Sequence, residues 1–424
     1  MKIHIKNGRI IDPKHGTDAV QDLFIAAGKV LSVGRTPDAF HPNRVIDAGN
    51  RVVCPGLIDL SARLREPGLE YKATLESEMQ AAVAGGITSL ACPPDTDPPL
   101  DEPGLVEMLK HRAKSLNQAR VYPLGALTQG LNGERITEMA ELHDAGCIAF
   151  SQANAPLSDN NVVMRAMQYA ATFGYTVWLR PQDAHLARGG VAHDGEVATR
   201  LGLPAIPSCA ETIALSSILL LAKETGARIH LCRLSTAEGV EMVRQAKSRG
   251  LAITCDIAAT HVHLSEMDLG FFDATCNLIP PLRSLRDRDA LRMGLKDGTI
   301  DALCSDHTPV DDDAKLLPFA EAESGATGLE LLLPLTLKWA AETKTPLSQA
   351  LAKITHIPAK ILGIDTGHFT PGNPADVCIF DPQQHWKVVP IVLKSQGKNT
   401  PFLGLELQGQ VCYTLVEGHV VYES

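Results

Sequence analysis

No stretch of the 424-residue sequence approaches the roughly 18 to 20 uninterrupted apolar residues that span a bilayer. The opening residues, MKIHIKNGRI, alternate polar and apolar without the apolar core of a secretion signal. The expectation is a cytoplasmic protein with no membrane partner. Ten cysteines occur singly, with no CxxC pair, and most sit inside apolar runs. That pattern disfavours a zinc ribbon or a disulfide frame and suits buried thiols in a reducing compartment. Positive charge is in short supply: 39 Lys+Arg against 49 Asp+Glu give a formal charge of −10, so nothing draws the chain to nucleic acid. Low-complexity segments, charge runs and internal repeats are missing too. What is present, 45% hydrophobic and 21% charged residues, suits a soluble globular chain with one large domain and a smaller one.

The first 50 residues carry short alternating strands broken by turns: Ile3 to Ile5, Ile10 to Ile11, Leu23 to Ile25, Val30 to Val33 and Val45 to Ile46. From Pro55 the texture becomes apolar runs of four to six residues, each followed by a helical-period stretch, the mark of repeated βα units. Eight buried strands are expected at Leu57 to Leu60, Ile87 to Cys92, Val121 to Gly125, Cys147 to Phe150, Thr176 to Leu179, Arg228 to Arg233, Ala252 to Ile257 and Ala302 to Ser305. Helices are expected over Thr74 to Ala84, Leu105 to Ser115, Asn160 to Phe173, Cys209 to Thr225 and Thr236 to Ser248. Eight parallel strands point to an α/β fold, a closed (β/α)8 TIM-like barrel over 55–365. Short strands return at Val377 to Phe380, Val411 to Leu415 and His419 to Tyr422, so residues 1–54 and 366–424 are expected to join in a small β-sandwich domain.

In such barrels the working residues stand at the C-terminal ends of the strands. There the chain resembles the dihydroorotase branch of the amidohydrolase superfamily, nearly end to end. The motifs are PGLID at Pro55 to Asp59, LREPG at Leu64 to Gly68, AGGITS at Ala84 to Ser89 and LGLPAIPSCAE at Leu201 to Glu211. They continue with TGARIHLCRLST (Thr225 to Thr236), PPLRS (Pro280 to Ser284), LKDGTIDALCSDHTP (Leu295 to Pro309) and GHFTPGNPADVCIFDP (Gly367 to Pro382). The resemblance implies a barrel enzyme that opens or closes the dihydroorotate ring with a zinc-activated hydroxide. It also implies ligands in an HxH pair after strand one, a carboxylate after strand four, histidines after strands five and six, and an aspartate after strand eight.

Residue by residue, that ligand set is missing. The HxH positions hold Ser61 and Arg63; the family's AFSDD reads AFSQA, with Gln152 at the carboxylate; HxED reads RPQD, with Arg180; HVCHVST reads HLCRLST, with Arg233. Only Asp306 of SDHTP remains. A guanidinium has no acceptor lone pair and stays protonated, so Arg63, Arg180 and Arg233 cannot ligate zinc. Beside a divalent cation each would repel it by about 4 kcal/mol per unit-charge pair at 4 Å and a dielectric near 20. Without the metal nothing lowers the pKa of water toward about 7. The expectation is therefore no metal, no cofactor and no catalytic residue. The vestigial site comprises Ser61, Arg63, Gln152, Arg180, Arg233 and Asp306. Among substrate-holding positions Arg65 stays, the asparagine of the family's MPNT becomes Asp95, that of NPPLR becomes Ile279, and DHAPH becomes DHTPV with Val310. Arg65, Asp95 and His307 are the ligand-binding candidates.

The arginines have two readings. They fill the vacated cavity and pair with Asp306, Asp183 and nearby carbonyls, or Arg65 and one of them form an anion pocket. His261-Val-His263 with Asp306 suggests a relocated metal, against surface or hydrogen-bonded histidines. His230 reads as a wall residue, and Cys232, on the opposite strand face from Arg233, reads as a packed thiol. Asp311 to Asp313 with Lys315 form a solvated loop that is mobile or packs on a partner. The resemblance is closest to the non-catalytic dihydroorotase-like subunit that assembles with aspartate carbamoyltransferase in pseudomonad-type bacteria. It implies a structural role in pyrimidine synthesis, a heterododecamer of six plus six chains, and self-association. The alternative is a metal-free ligand-binding protein or weak amidohydrolase acting on a ureide.

Overall fold

The computed structural model describes residues 1–424. The chain opens with β1 (Lys2–Asp12), β2 (Thr17–Ala26), β3 (Lys29–Val33), β4 (Arg44–Asp47) and β5 (Val52–Pro55). Strands β6 (Leu57–Asp59), β7 (Ile87–Cys92), β8 (Arg120–Ala126), β9 (Ala149–Ser151) and β10 (Thr176–Leu179) follow. After the two-residue pair β11 (Ala192–His193) and β12 (Ala205–Ile206) come β13 (Arg228–Leu231), β14 (Ile253–Ala258) and β15 (Ala302–Cys304). The chain ends with β16 (Val377–Lys387), β17 (Glu406–Val416) and β18 (His419–Glu423). Among these run α1 (Leu75–Ala84), α2 (Pro103–Ser115), α3 (Met139–Ala145), α4 (Asn160–Phe173), α5 (Glu196–Leu201), α6 (Cys209–Thr225) and α7 (Ala237–Ser248). The later helices are α8 (Ala259–His263), α9 (Leu285–Asp297), α10 (Leu332–Thr343), α11 (Leu347–Ala352) and α12 (His356–Leu362).

Eight strands, β6 to β10 and β13 to β15, pair in parallel in chain order. Each lies where an apolar run predicted it, because a strand covered on both faces needs apolar residues throughout. The first and last strands meet just beyond their ends: Ala62 bridges His307, with Arg63 N donating to His307 O at 2.9 Å and His307 N to Ser61 O at 3.0 Å. Closure thus falls at the level of the candidate site. Ile58, Leu60, Ala91, Leu124, Trp178 and Cys304 pack the barrel interior, with Ala359 and Leu362 of α12 against them. No helix is long and apolar enough to cross a membrane.

Both chain ends join in a second sheet, β18-β17-β16-β5-β1-β2-β3. Its strands are hydrogen-bonded along one continuous path. Strand β1 pairs β4 through Ile3 to Lys6 and then, past a bulge between Ile5 and Gly8, pairs β5 through Arg9 and Ile10. The strand segments read separately at Ile3 to Ile5 and Ile10 to Ile11 are therefore one bent strand. Ile3, Ile10, Leu23, Val53, Val377 and Leu415, from both ends of the chain, share one apolar core.

Candidate functional site

The residues after β13 are held first. Glu211 on α6, buried, accepts from Ser235 N at 2.8 Å, Ser235 Oγ at 2.6 Å, Thr236 N at 3.0 Å and Thr236 Oγ1 at 2.6 Å. Asp256 of β14 accepts from Arg233 N at 2.7 Å through Oδ1 and faces His230 Nε2 at 3.0 Å through Oδ2. These bonds fix Arg233 in a left-handed backbone conformation (φ 55°), and Arg65 (φ 64°), Ala153 (φ 51°) and Asp306 (φ 48°) share that rarity at the mouth. Such residues cost roughly 1–3 kcal/mol each and persist only where their surroundings impose them. The scaffold still aims side chains at one point.

At that point stands Asp306. Its Oδ1 accepts from Arg233 Nη1 at 2.7 Å, Ser61 Oγ at 3.2 Å and Arg63 Nη1 at 3.3 Å. Arg63 Nε also donates to Asp95 Oδ2 at 2.8 Å and Arg63 Nη1 to Thr308 Oγ1 at 3.0 Å. Asp95, read from sequence as a ligand-binding position, is thus engaged as the second counter-charge of Arg63. Burial disfavours the Asp95 carboxylate, but Arg63 outweighs it and holds the group below its usual range. For Arg233 burial lowers the pKa, and Asp306 and neighbouring groups more than restore it, leaving the guanidinium above its usual value.

Arg180 departs from expectation. It contacts neither Asp306 nor Asp183 but donates from Nε to Asn154 Oδ1 at 3.0 Å, from Nη2 to Asn154 O at 3.3 Å, and from Nη1 to Gln182 Oε1. Arg233 Nη2 reaches the same Asn154 Oδ1 at 2.9 Å, so one amide oxygen ties the two arginines together. Burial, then the positive Arg233, push Arg180 down to about 9. Asp183 instead accepts from His185 N and Leu186 N, both 2.9 Å, inside its own loop.

Gln152 also lies off the centre. It leaves the barrel direction where β9 ends at Ser151, accepting from Thr128 Oγ1 at 3.0 Å and donating to Leu131 O at 2.8 Å. His307 is turned outward to α1: Gly328 N donates to its Nδ1 at 3.1 Å and its Nε2 faces buried Glu78 at 2.5 Å, leaving neither nitrogen for a ligand. Arg65 donates from Nε to Pro309 O at 2.8 Å, and no bond ties its two Nη atoms. Sequence reasoning missed Asn154 and Thr308. Their only advance signal was that three buried guanidiniums need acceptors.

The other candidates are occupied. His261, a buried residue, and His263, whose side chain is 3% exposed, lie on α8. His261 uses Thr260 Oγ1 and Pro280 O, both at 3.0 Å, while His263 Nε2 contacts Leu335 O at 2.9 Å. The two rings do not converge with Asp306 on a metal position. His230, Cys232 and Asp256 bring ligand atoms within 4.8 Å of one another. Both ring nitrogens of His230 are taken, by Thr254 Oγ1 at 2.8 Å and Asp256, and both Asp256 oxygens are taken as well. Desolvation pushes the Cys232 thiol pKa up, so the trio is a hydrogen-bonded support for Arg233. Lys315 is not a solvated side chain: its Nζ donates to Ala274 O at 2.9 Å and Asn277 O at 3.3 Å, and burial lowers it to about 8.

Zinc does not fit this donor set. Its two carboxylates, Asp306 and Asp95, are already bonded to guanidiniums, and Arg63 Nη2 and Arg233 Nε remain as buried donors with no acceptor. The space beside Asp306, bounded by Asn154, Thr260, Ile279, Ser305 and Thr308, is about 40 Å³. That is close to the ~30 Å³ share of one water and far below the ~300–1,000 Å³ of small-molecule pockets.

A family profile described as Dihydro-orotase-like matches residues 50–239. A "Dihydroorotase-like protein" of Pseudomonas aeruginosa is 44% identical, with all of both chains covered. A "Dihydroorotase" of Geobacter sp. (strain M21) is 41% identical, again over all of both chains. Among solved structures, L-hydantoinase (dihydropyrimidinase) from Arthrobacter aurescens superposes with a TM-score of 0.89 at 26% identity, covering 99% of this chain and 96% of that one.

Proposed function

The chain belongs to the dihydroorotase-like family, and we propose that within it this protein is a non-catalytic structural subunit that assembles with aspartate carbamoyltransferase in pyrimidine synthesis. The observation that carries the reading is the bonding of Arg233 and Arg63 to Asp306, which puts two protein cations where the family's chemistry needs a metal. The relatives' names divide between dihydroorotase-like and dihydroorotase at nearly equal identity, so the reading rests on the chain's own residues. A ureide ring has neither room beside Asp306 nor an activated water to attack it.

The surface supports assembly. Lys315 holds its loop against the segment after Phe271, leaving Phe271 98% and Leu316 81% exposed, with Phe272 and Leu317 beside them also exposed. Exposed apolar side chains gathered on ordered loops are the kind of surface a protein partner covers. The partner's identity, and a stoichiometry of six plus six chains, rest on the family resemblance. A direct test is to assay the purified chain with dihydroorotate and with carbamoyl aspartate, with zinc added. Turnover should not rise above the uncatalysed rate. Zinc-dependent turnover would overturn the reading.

A further inference from the structure

A second and larger space opens beside the vestigial centre. A cavity of about 470 Å³ lies between the loop after β9, the loop after β10, and helices α4 and α6. Its volume falls within the range of small-molecule sites. Leu157, Val163, Ile213 and Ile218 give it an apolar wall; Arg180, Gln182 and Arg188 give it a polar end.

The charge at that end is unbalanced. Arg180 bonds only amide and carbonyl oxygens, which use three of its five N–H groups and leave one on each Nη. It is the member of the arginine trio without a carboxylate partner, since Arg63 and Arg233 both have Asp306. Arg188, exposed, donates from Nη2 to His185 Nδ1 at 3.0 Å and likewise has no carboxylate. Asp183 also lines the cavity, but its Oδ1 is held by two backbone N–H groups of its own loop. Arg233 and Arg63 act on Arg180 as like charges, Asp306 and Glu211 act against them without bonding it, and burial keeps the guanidinium below its usual value. An oxyanion bonded directly to Arg180 would supply the carboxylate or phosphate partner that Arg63 and Arg233 find in Asp306.

We infer that this cavity binds a small organic anion, its carboxylate or phosphate oxygens held by Arg180 and Arg188 and its body against Ile213 and Leu157. Paired N–H groups on a planar guanidinium match either oxyanion. The site is separate from Asp306, Arg63 and Arg65, so it neither needs nor restores ring chemistry, and it stands whether or not the chain assembles with a partner.

The test uses the purified full chain, with sodium phosphate and sodium succinate titrated separately against sodium chloride at equal ionic strength, read by calorimetry and thermal shift. At least one probe should bind saturably. Binding should weaken about 10-fold or more in Arg180→Gln, as loss of a charged hydrogen bond implies, and measurably in Arg188→Gln. Ser217→Phe fills the cavity from α6 while keeping both cations, so it should abolish binding even if Arg180→Gln fails to fold. Arg286→Gln, an exposed arginine on α9 away from the cavity, should bind as the native chain does. The inference is overturned if neither probe saturates beyond chloride, if binding survives in Ser217→Phe, or if Arg286→Gln loses it.

Discussion

Arg233 Nη1 and Asp306 Oδ1 stand 2.7 Å apart across the barrel mouth, each residue on a left-handed backbone that brings the two groups together. A guanidinium supplied by the chain thus occupies the place where the fold would present ligands to a cation.

Because Asp306 is the shared acceptor of two buried arginines, Asp306→Asn leaves the Arg233 guanidinium bonded only to neutral groups. Breaking a buried pair by removing one member costs about 3–5 kcal/mol. Urea unfolding of the two proteins should show a loss of that size. A change below about 1 kcal/mol, as exposed ion pairs give, would mean that the pair is decorative.

Arg180 should behave in the opposite way. It is partly buried with no carboxylate, and burial together with like charge already pushes it down to about 9. In Arg180→Met the lost bonds to Asn154 and Gln182 are offset by removing an unpaired cation, so stability should stay within about 1 kcal/mol of the native chain. A loss as large as that of Asp306→Asn would contradict this ranking.

Restoring the first two ligand positions, Ser61→His with Arg63→His, should yield neither zinc uptake nor turnover. Arg180 and Arg233 remain, and Asp95 loses its partner at 2.8 Å. Metal analysis and a ring-opening assay check this, and recovered turnover would refute the account of the site.

The acid side of the stability profile should carry the mark of His263. Burial lowers it to about 4, against the bond to Leu335 O and the nearby carboxylate of Glu342, which itself pairs with Arg292 and Lys338. The unfolded imidazole takes its proton near 6.5 and the folded one only near 4, so this contribution is present above pH 6.5 and lost as pH falls toward 4. The stability advantage of the native chain over His263→Gln should shrink between pH 7 and 5. A difference independent of pH would contradict the assignment.

The barrel was legible because its strands are apolar runs at βα spacing, and the gathering of Ser61, Arg63 and Arg233 around Asp306 because all four follow barrel strands at the same end. What stayed hidden depends on where a strand stops. Gln152 sits one residue past β9 and turns toward Thr128, while Asn154, two residues on, turns in to join Arg180 and Arg233. Alternation fails once the strand ends, and a left-handed residue such as Arg233 or Asp306 redirects its side chain in a way no periodicity records. The partnerships of Asp95 with Arg63 and of His307 with Glu78 join residues 32 and 229 positions apart, beyond the reach of local pattern.

The most direct measurement is light scattering on a gel-filtration column, with the chain run alone and mixed with aspartate carbamoyltransferase of the same host. Zinc and both activities are assayed across each peak. The expected result is a joint peak of several hundred kilodaltons that is free of stoichiometric zinc and active only as a carbamoyltransferase. A chain that elutes apart from the carbamoyltransferase, or that carries zinc and turns over dihydroorotate, would contradict it.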